Sequence, residues 1–243
     1  MKLDILTLKY QSQNTKHRTC LCLDLPSIDY KEAWEFQTQL VSDRKSNRLD
    51  TDIFILLEHP SVFTLGRRGG LENLAVSEDL LKKTGIPVIH VERGGNITFH
   101  GPGQLIVYPI IDLRAAGLPV VEYVSHLEEI MIRTVGNWGI KAERNDMNRG
   151  IWVGASKLGS VGIAVRRGIS FHGLALNVNL ALKAFEWIHP CGLQGIGVTS
   201  MEEELSQNIS MDSVRKAAKD YIEAVFGVKL VTTNLADLRV HLV

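Results

Sequence analysis

Seven short runs rich in β-branched and aromatic residues, each bounded by turn residues, constrain the fold more than any other feature of this chain. They cover residues 53–57, 62–65, 88–91, 104–111, 151–153, 158–165 and 171–180, and runs of that length and composition form strands. Helical periodicity appears with the same clarity in only three places. Tyr30, Ala33, Trp34, Leu40 and Val41 share one face behind an Asp29–Glu32 capping pair. Val120, Val124, Leu127, Met131, Val135 and Trp138 repeat the pattern between Pro119 and Gly139, and Val214, Ala217, Ala218, Tyr221, Ile222 and Val225 repeat it before Gly227. Because strands outnumber helices and do not alternate with them, the pattern predicts an α+β fold with a mixed or antiparallel sheet. No Ser/Gly-rich or charge-run linker interrupts the 243 residues, so residues 1–243 are expected to form a single domain.

Charge narrows the function classes. Lys and Arg number 27 and Asp and Glu number 27, whereas a protein whose main partner is a polyanion usually carries a basic excess, so neither nucleic acid nor a membrane surface is expected as a partner. The longest apolar stretch, Leu105 to Leu113, is broken by Tyr108, Pro109 and Asp112 and is less than half of the ~20 residues a spanning helix needs. Met1-Lys2-Leu3-Asp4-Ile5 places charge where a secretory segment would turn apolar. Cys20, Cys22 and Cys191 are an odd, sparse set, which favours a reducing compartment and leaves at least one free thiol. A cytoplasmic protein is the expectation. The histidines and cysteines show no paired ligand spacing and no phosphate-binding glycine loop is present, so neither metal nor cofactor is expected.

Sixteen of the 21 glycines fall between Gly94 and Gly197, and the residues with chemical potential lie in the same region. The segment Arg93-Gly94-Gly95-Asn96-Ile97-Thr98-Phe99-His100 is followed by Gly101-Pro102-Gly103-Gln104. Such a loop lets backbone approach a ligand, and Thr98 and His100, two apart in an extended chain, point to one side. A structural hairpin with a satisfied histidine reads equally well. Lys157 opens a strand that continues through Ser160, Val161 and Gly162; a lysine is ordinarily a solvated surface charge. In the run beginning Ser170-Phe171, the residues His172, Leu174, Leu176 and Val178 are expected on one face, and Phe171, Gly173, Ala175 and Asn177 on the other. The small side leaves a trough fit for an acyl chain or for a neighbouring Trp. Cys191 is clamped between Pro190 and Gly192 in a turn, whereas Cys20 and Cys22 sit in an apolar, strand-like stretch and read as core.

Taken together, Arg93 to Tyr108, Lys157 to Gly162, Arg166 to Asn179 and Pro190 to Gly192 resemble, in order and spacing, the lipoyl(octanoyl) transferase family over roughly the middle hundred residues. Phe99 stands where tyrosine is usual and His189 where asparagine is usual, and the segment after Lys157 is a loose version of the family's. The resemblance implies the fold of the biotin and lipoate ligase catalytic domain. It makes Cys191 the acyl-carrying nucleophile, Lys157 its partner, and Arg93 to His100, Ser160 to Gly162 and Gly173-Leu174-Ala175 the substrate pocket. It also implies a monomeric octanoyltransferase whose donor is octanoyl-acyl carrier protein and whose acceptors are the lipoyl domains of 2-oxoacid dehydrogenases and the glycine cleavage H protein.

Thiol chemistry agrees with that role independently. A free thiol titrates near ~8.5, and an adjacent ammonium favours the reactive thiolate. Exchange of one thioester for another is nearly balanced and thioester to amide is downhill, so no nucleotide is needed. Three rivals differ in what they require. A ligase of the same fold would activate a free acid with ATP and would not need Cys191. A non-catalytic protein binding acyl carrier or lipoyl domains would not need Cys191 and Lys157 intact. A papain-like hydrolase wants a downstream histidine, and after Cys191 only His241 remains.

Overall fold

A computed structural model describes residues 18–77, 81, 83–145, 148–188 and 197–240. The chain begins with strand β1 (Arg18–Ser27), helix α1 (Tyr30–Lys45), β2 (Ile53–Glu58) and β3 (Val62–Leu65). Asp29 caps α1 by accepting from the backbone N–H groups of Lys31 and Glu32, which satisfies donors the helix itself leaves open. Next come β4 (Val88–His90), β5 (Ile97–His100) and β6 (Gln104–Ile110), then the long helix α2 (Val120–Gly136). The second half contains β7 (Glu143–Arg144), β8 (Gly150–Val153), β9 (Ser156–Arg166) and β10 (Ile169–Asn177). It closes with β11 (Gly197–Val198), α3 (Met201–Leu205), α4 (Met211–Phe226), β12 (Val228–Thr233) and α5 (Leu235–Val240). Gly227 takes the left-handed conformation that ends α4, as its place after the apolar stripe predicts.

The architecture is α+β with a mixed sheet. Nine strands form the large sheet in the order β12-β1-β2-β6-β10-β9-β8-β7, with β11 also pairing to β9. β1 runs parallel to both neighbours, and the ladder from β2 through β6, β10, β9 and β8 is antiparallel. One face, carrying Phe54, Leu56, Leu105, Val107, Leu174, Leu176 and Val178, packs on α2 and α4. The opposite face, carrying Ile55, Ile106, Ala164, Phe171 and Ala175, packs on α1. A second sheet, β4-β3-β5, carries its own apolar cluster built from Phe63, Ile97, Phe99 and Leu180. No helix of the described residues is long and apolar enough to cross a membrane.

The expected alternation along β10 holds for Leu174, Leu176 and Val178 on one side and Phe171 and Ala175 on the other. It breaks at His172, whose φ of 55° lies in the left-handed region. The β6–β10 register ends at the Leu174–Val107 pair, and the next ladder position on β6 is Pro109, which has no N–H to give. The His172 N–H donates to Oε1 of Gln37 in α1, at 2.7 Å. His172 therefore leaves the face shared by Leu174 and turns towards the Phe171 side, its ring stacked on Phe171 with centroids 4.9 Å apart.

Candidate active site

The small sheet is fastened to the large one where β9 has a free edge. β8 pairs with β9 only as far as Ser160, which leaves the later residues of that edge open. The loop before β5 occupies it: the Gly94 N–H donates to the Ile163 carbonyl at 2.8 Å, and Arg166 bonds Glu92 at 2.6 Å. Between this loop and strands β9 and β10 lies a cavity of about 740 Å³, within the ordinary range for small-molecule sites.

That cavity gathers most of the residues singled out from the sequence. It is lined by Arg93, Gly94, Gly95, Asn96, Ile97, Thr98 and His100, by Ser160, Val161 and Gly162, by Gly173, Leu174 and Ala175, and by Lys157. Ala175 faces Ser160 and Gly173 faces Gly162 across the β9–β10 ladder. Phe99 is the exception within its segment. It alternates away from Thr98 and His100 into the apolar cluster of the small sheet, its ring 5.2 Å from that of Phe63, and contributes no wall to the cavity. Gly173 is small for a reason other than trough space. A Cβ there would collide with the Val107 carbonyl and reach within 2.8 Å of Pro109 Cδ, so the residue allows β10 to approach β6. Gly95 needs its φ of 85°, which side chains seldom adopt.

Lys157 is not a solvated surface charge. It is 5% exposed, and its Nζ donates to Asn148 Oδ1 at 2.7 Å and lies 5.3 Å from the Trp152 ring centroid. Its surroundings are held from α2: Glu128, fully buried, accepts from the Gly150 N–H at 2.9 Å and has Arg144 and Arg149 within 3.6 Å of its other oxygen. Cys191, with His189 and Pro190 before it, lies outside the described residues. Cys20 and Cys22 are buried, and burial raises both thiols to about 11, helped by Asp52 at Cys20 and only partly countered by Lys219 at Cys22. Neither thiol is suited to nucleophilic work at neutral pH.

Beneath the cavity lies a polar network that the sequence does not announce. His59 Nδ1 donates to the Ile28 carbonyl at 2.7 Å, so its Nε2 is the acceptor for the Tyr108 hydroxyl at 2.8 Å. His100 Nδ1 donates to Gln104 Oε1 at 2.8 Å; Gln104 Nε2 donates to Asn177 Oδ1, and Asn177 to the Thr199 carbonyl. Tyr30 stacks on His100 with centroids 5.7 Å apart. Burial keeps the three histidines neutral, lowering His59 to about 4, His172 to about 3, and His100 well below its ordinary value, with His59 adding to the effect on His100. The Arg93 guanidinium is held by the Thr64 hydroxyl and carbonyl and by the Gly94 carbonyl. Among the described residues no group of three or more His, Cys, Asp or Glu side chains is placed to hold a metal ion.

A glycine-rich loop and two antiparallel strands thus wall the cavity, with the buried Lys157 in its lining. Residues 29–223 match the family described as Lipoyl protein ligase A/B catalytic domain. A lipoate-protein ligase A bound with ATP shares the fold, with a TM-score of 0.67 at 18% identity over 90% of this chain and 89% of that one. The Octanoyltransferase of Desulfotalea psychrophila is 44% identical over 219 residues, which is 89% of this chain and 98% of the relative, and that of Syntrophobacter fumaroxidans is 43% identical over 209 residues, 86% and 91% respectively. The chain belongs to the lipoyl(octanoyl) transferase family and is an acyltransferase.

Proposed function

We propose that this enzyme moves an octanoyl group from octanoyl-acyl carrier protein to the lysine of lipoyl domains, those of the 2-oxoacid dehydrogenases and the glycine cleavage H protein, through a thioester on Cys191. The observation that carries this reading is Lys157: a buried ammonium, fixed by Asn148 in the lining of the cavity, in a chain 44% identical to an octanoyltransferase. We assign residues 1–243 to one catalytic domain acting as a monomer in the cytoplasm.

The Lys157 ammonium favours the Cys191 thiolate electrostatically. The thiolate attacks the donor's thioester carbonyl, a new C–S bond forms, and the old one breaks as Lys157 gives its proton to the departing pantetheine sulfur. Octanoyl-Cys191 remains, and Lys157 is neutral. The acceptor lysine's amine then attacks the same carbonyl and loses a proton to Lys157 as the C–S bond to Cys191 breaks, leaving an amide, a free thiolate and a recharged ammonium. Both halves draw on the thioester's own energy, so no ATP enters.

The covalent intermediate lets the donor leave before the acceptor arrives, so parallel lines in double-reciprocal plots with both substrates varied are expected. Free octanoate should be inert even with ATP and Mg²⁺ present. Transfer that depends on ATP, or adenylated octanoate accumulating during turnover, would make the enzyme a ligase instead.

A further inference from the structure

His172 is an unusual residue to find in the middle of a buried strand. It is 1% exposed, adopts φ of 55°, and has both ring nitrogens without a hydrogen-bond partner among the described residues; the nearest carboxylate oxygen, of Glu92, is 4.0 Å away. A buried imidazole in that state gives up both of its hydrogen bonds, and strained backbone of this kind persists only where the surroundings enforce it. The bond from its N–H to Gln37 does so here, and the result is a ring that lines the cavity, wedged against Phe171 and 6.2 Å from the Tyr108 ring.

Its position along the trough has a length attached. Lys157 reaches across Gly150, where a Cβ would come within 2.9 Å of its Cε, and Gly150 pairs with Ser160. The lysine tip is therefore roughly level with Ser160. His172 pairs with Ile163, three residues further along β9. At ~3.3 Å per residue the two levels are ~10 Å apart. An extended eight-carbon acyl chain, with C–C bonds of ~1.5 Å, runs ~9 Å from its carbonyl carbon to its methyl. Glu92, paired with Arg166, lies 4.0 Å from the His172 ring.

We propose that His172 is the end-stop of the acyl trough, the residue that sets the preferred chain at about eight carbons. A longer chain would have to press its last methylenes onto an imidazole fixed by Phe171, Tyr108 and a constrained backbone, while leaving the ring nitrogens to apolar neighbours. The inference rests on the acyl-thioester reading above and assigns chain-length selection to one side chain within it.

The test is transfer from acyl-carrier-protein donors of six to twelve carbons, reading the decanoyl-to-octanoyl and dodecanoyl-to-octanoyl ratios of kcat/KM in the parent and in two variants. His172→Gly removes the ring and accepts the positive φ without strain, and His172→Asn is shorter and also tolerates that conformation. Two methylenes that gain burial are worth ~10-fold in binding, so the decanoyl-to-octanoyl ratio should rise by about that factor in His172→Gly and by less in His172→Asn. If His172→Gly does not fold, as judged by its thermal transition, His172→Asn carries the same comparison. Ratios unchanged from the parent, or all chain lengths reduced by one common factor, would overturn the end-stop. Absence of ATP-independent transfer from any donor by the parent would instead overturn the function it rests on.

Discussion

Acidification from pH 7.5 to 5.0 should destabilise the fold through the histidines under the cavity. His59 is lowered to about 4 and His172 to about 3, in both cases chiefly by burial, with the Arg93 and Arg166 charges adding to it at His172. Both are neutral in the folded protein at either pH, whereas in the unfolded chain a histidine titrates near ~6.5. The unfolded state thus binds more protons as the pH falls below that value. Stability is complete above about 6.5 and is lost progressively down towards the folded values. At pH 5.0 each of the two histidines costs about 2 kcal/mol, together ~4 kcal/mol, a large part of the ~5–15 kcal/mol that holds a domain folded. His100, also lowered by burial, acts in the same direction. Urea unfolding monitored by circular dichroism reads the change directly: with a slope of about 2.5 kcal/mol/M, the midpoint should drop by ~1.5 M. His172→Asn, which cannot titrate there, should remove about half of the ~4 kcal/mol pH dependence. A midpoint that holds or rises between pH 7.5 and 5.0, or a His172→Asn variant with the parent's full pH dependence, would refute the reasoning.

Three further outcomes test the site. Lys157→Met should slow acylation of Cys191 most at neutral pH and recover partly as pH rises, because the lost ammonium favoured the thiolate; iodoacetamide reaction rates of the Cys191 thiol across pH check this, and an unchanged profile would remove Lys157 from that role. Gly173→Ala should lower stability by about 1–3 kcal/mol, as overpacking does, with a similar loss of activity for short and long donors, since its Cβ meets the Val107 carbonyl rather than the trough; urea melts and donor-length ratios measure both. Cys191→Ser should abolish transfer while Cys20→Ser and Cys22→Ser retain it, and a folded but inactive double variant of Cys20 and Cys22 would reverse that assignment.

Much of the scaffold was legible because its signals are local. The seven β-branched runs are β2, β3, β4, β6, β8, β9 and β10, and the three apolar stripes are α1, α2 and α4. β5, at Ile97–His100, lay hidden inside the glycine-rich segment, where flanking Gly and Asn residues read as loop. β12 was missed because only its first residue is buried and a parallel pairing with β1 holds it. In the site, the Arg93 to His100 segment could be picked out by its pattern and Ser160 to Gly162 through the family resemblance, which also spans Tyr108, but Asn148, Glu128 and His59 reach it through tertiary contacts without a motif. Two residues were misjudged for specific reasons. Phe99 follows strand alternation into the neighbouring core, and His172 leaves its expected face at a positive φ, its N–H bonded to Gln37, a residue distant in sequence.

The central claim is a covalent octanoyl-Cys191 enzyme formed without nucleotide. Incubation of the intact protein with octanoyl-acyl carrier protein, free of ATP and Mg²⁺, followed by intact-mass measurement before and after hydroxylamine, tests it most directly. The expected result is one octanoyl adduct, mapped to Cys191, removed by hydroxylamine and passed to the lysine of an added lipoyl domain. An unmodified Cys191 during active transfer, or an adduct that hydroxylamine leaves in place, would contradict the account.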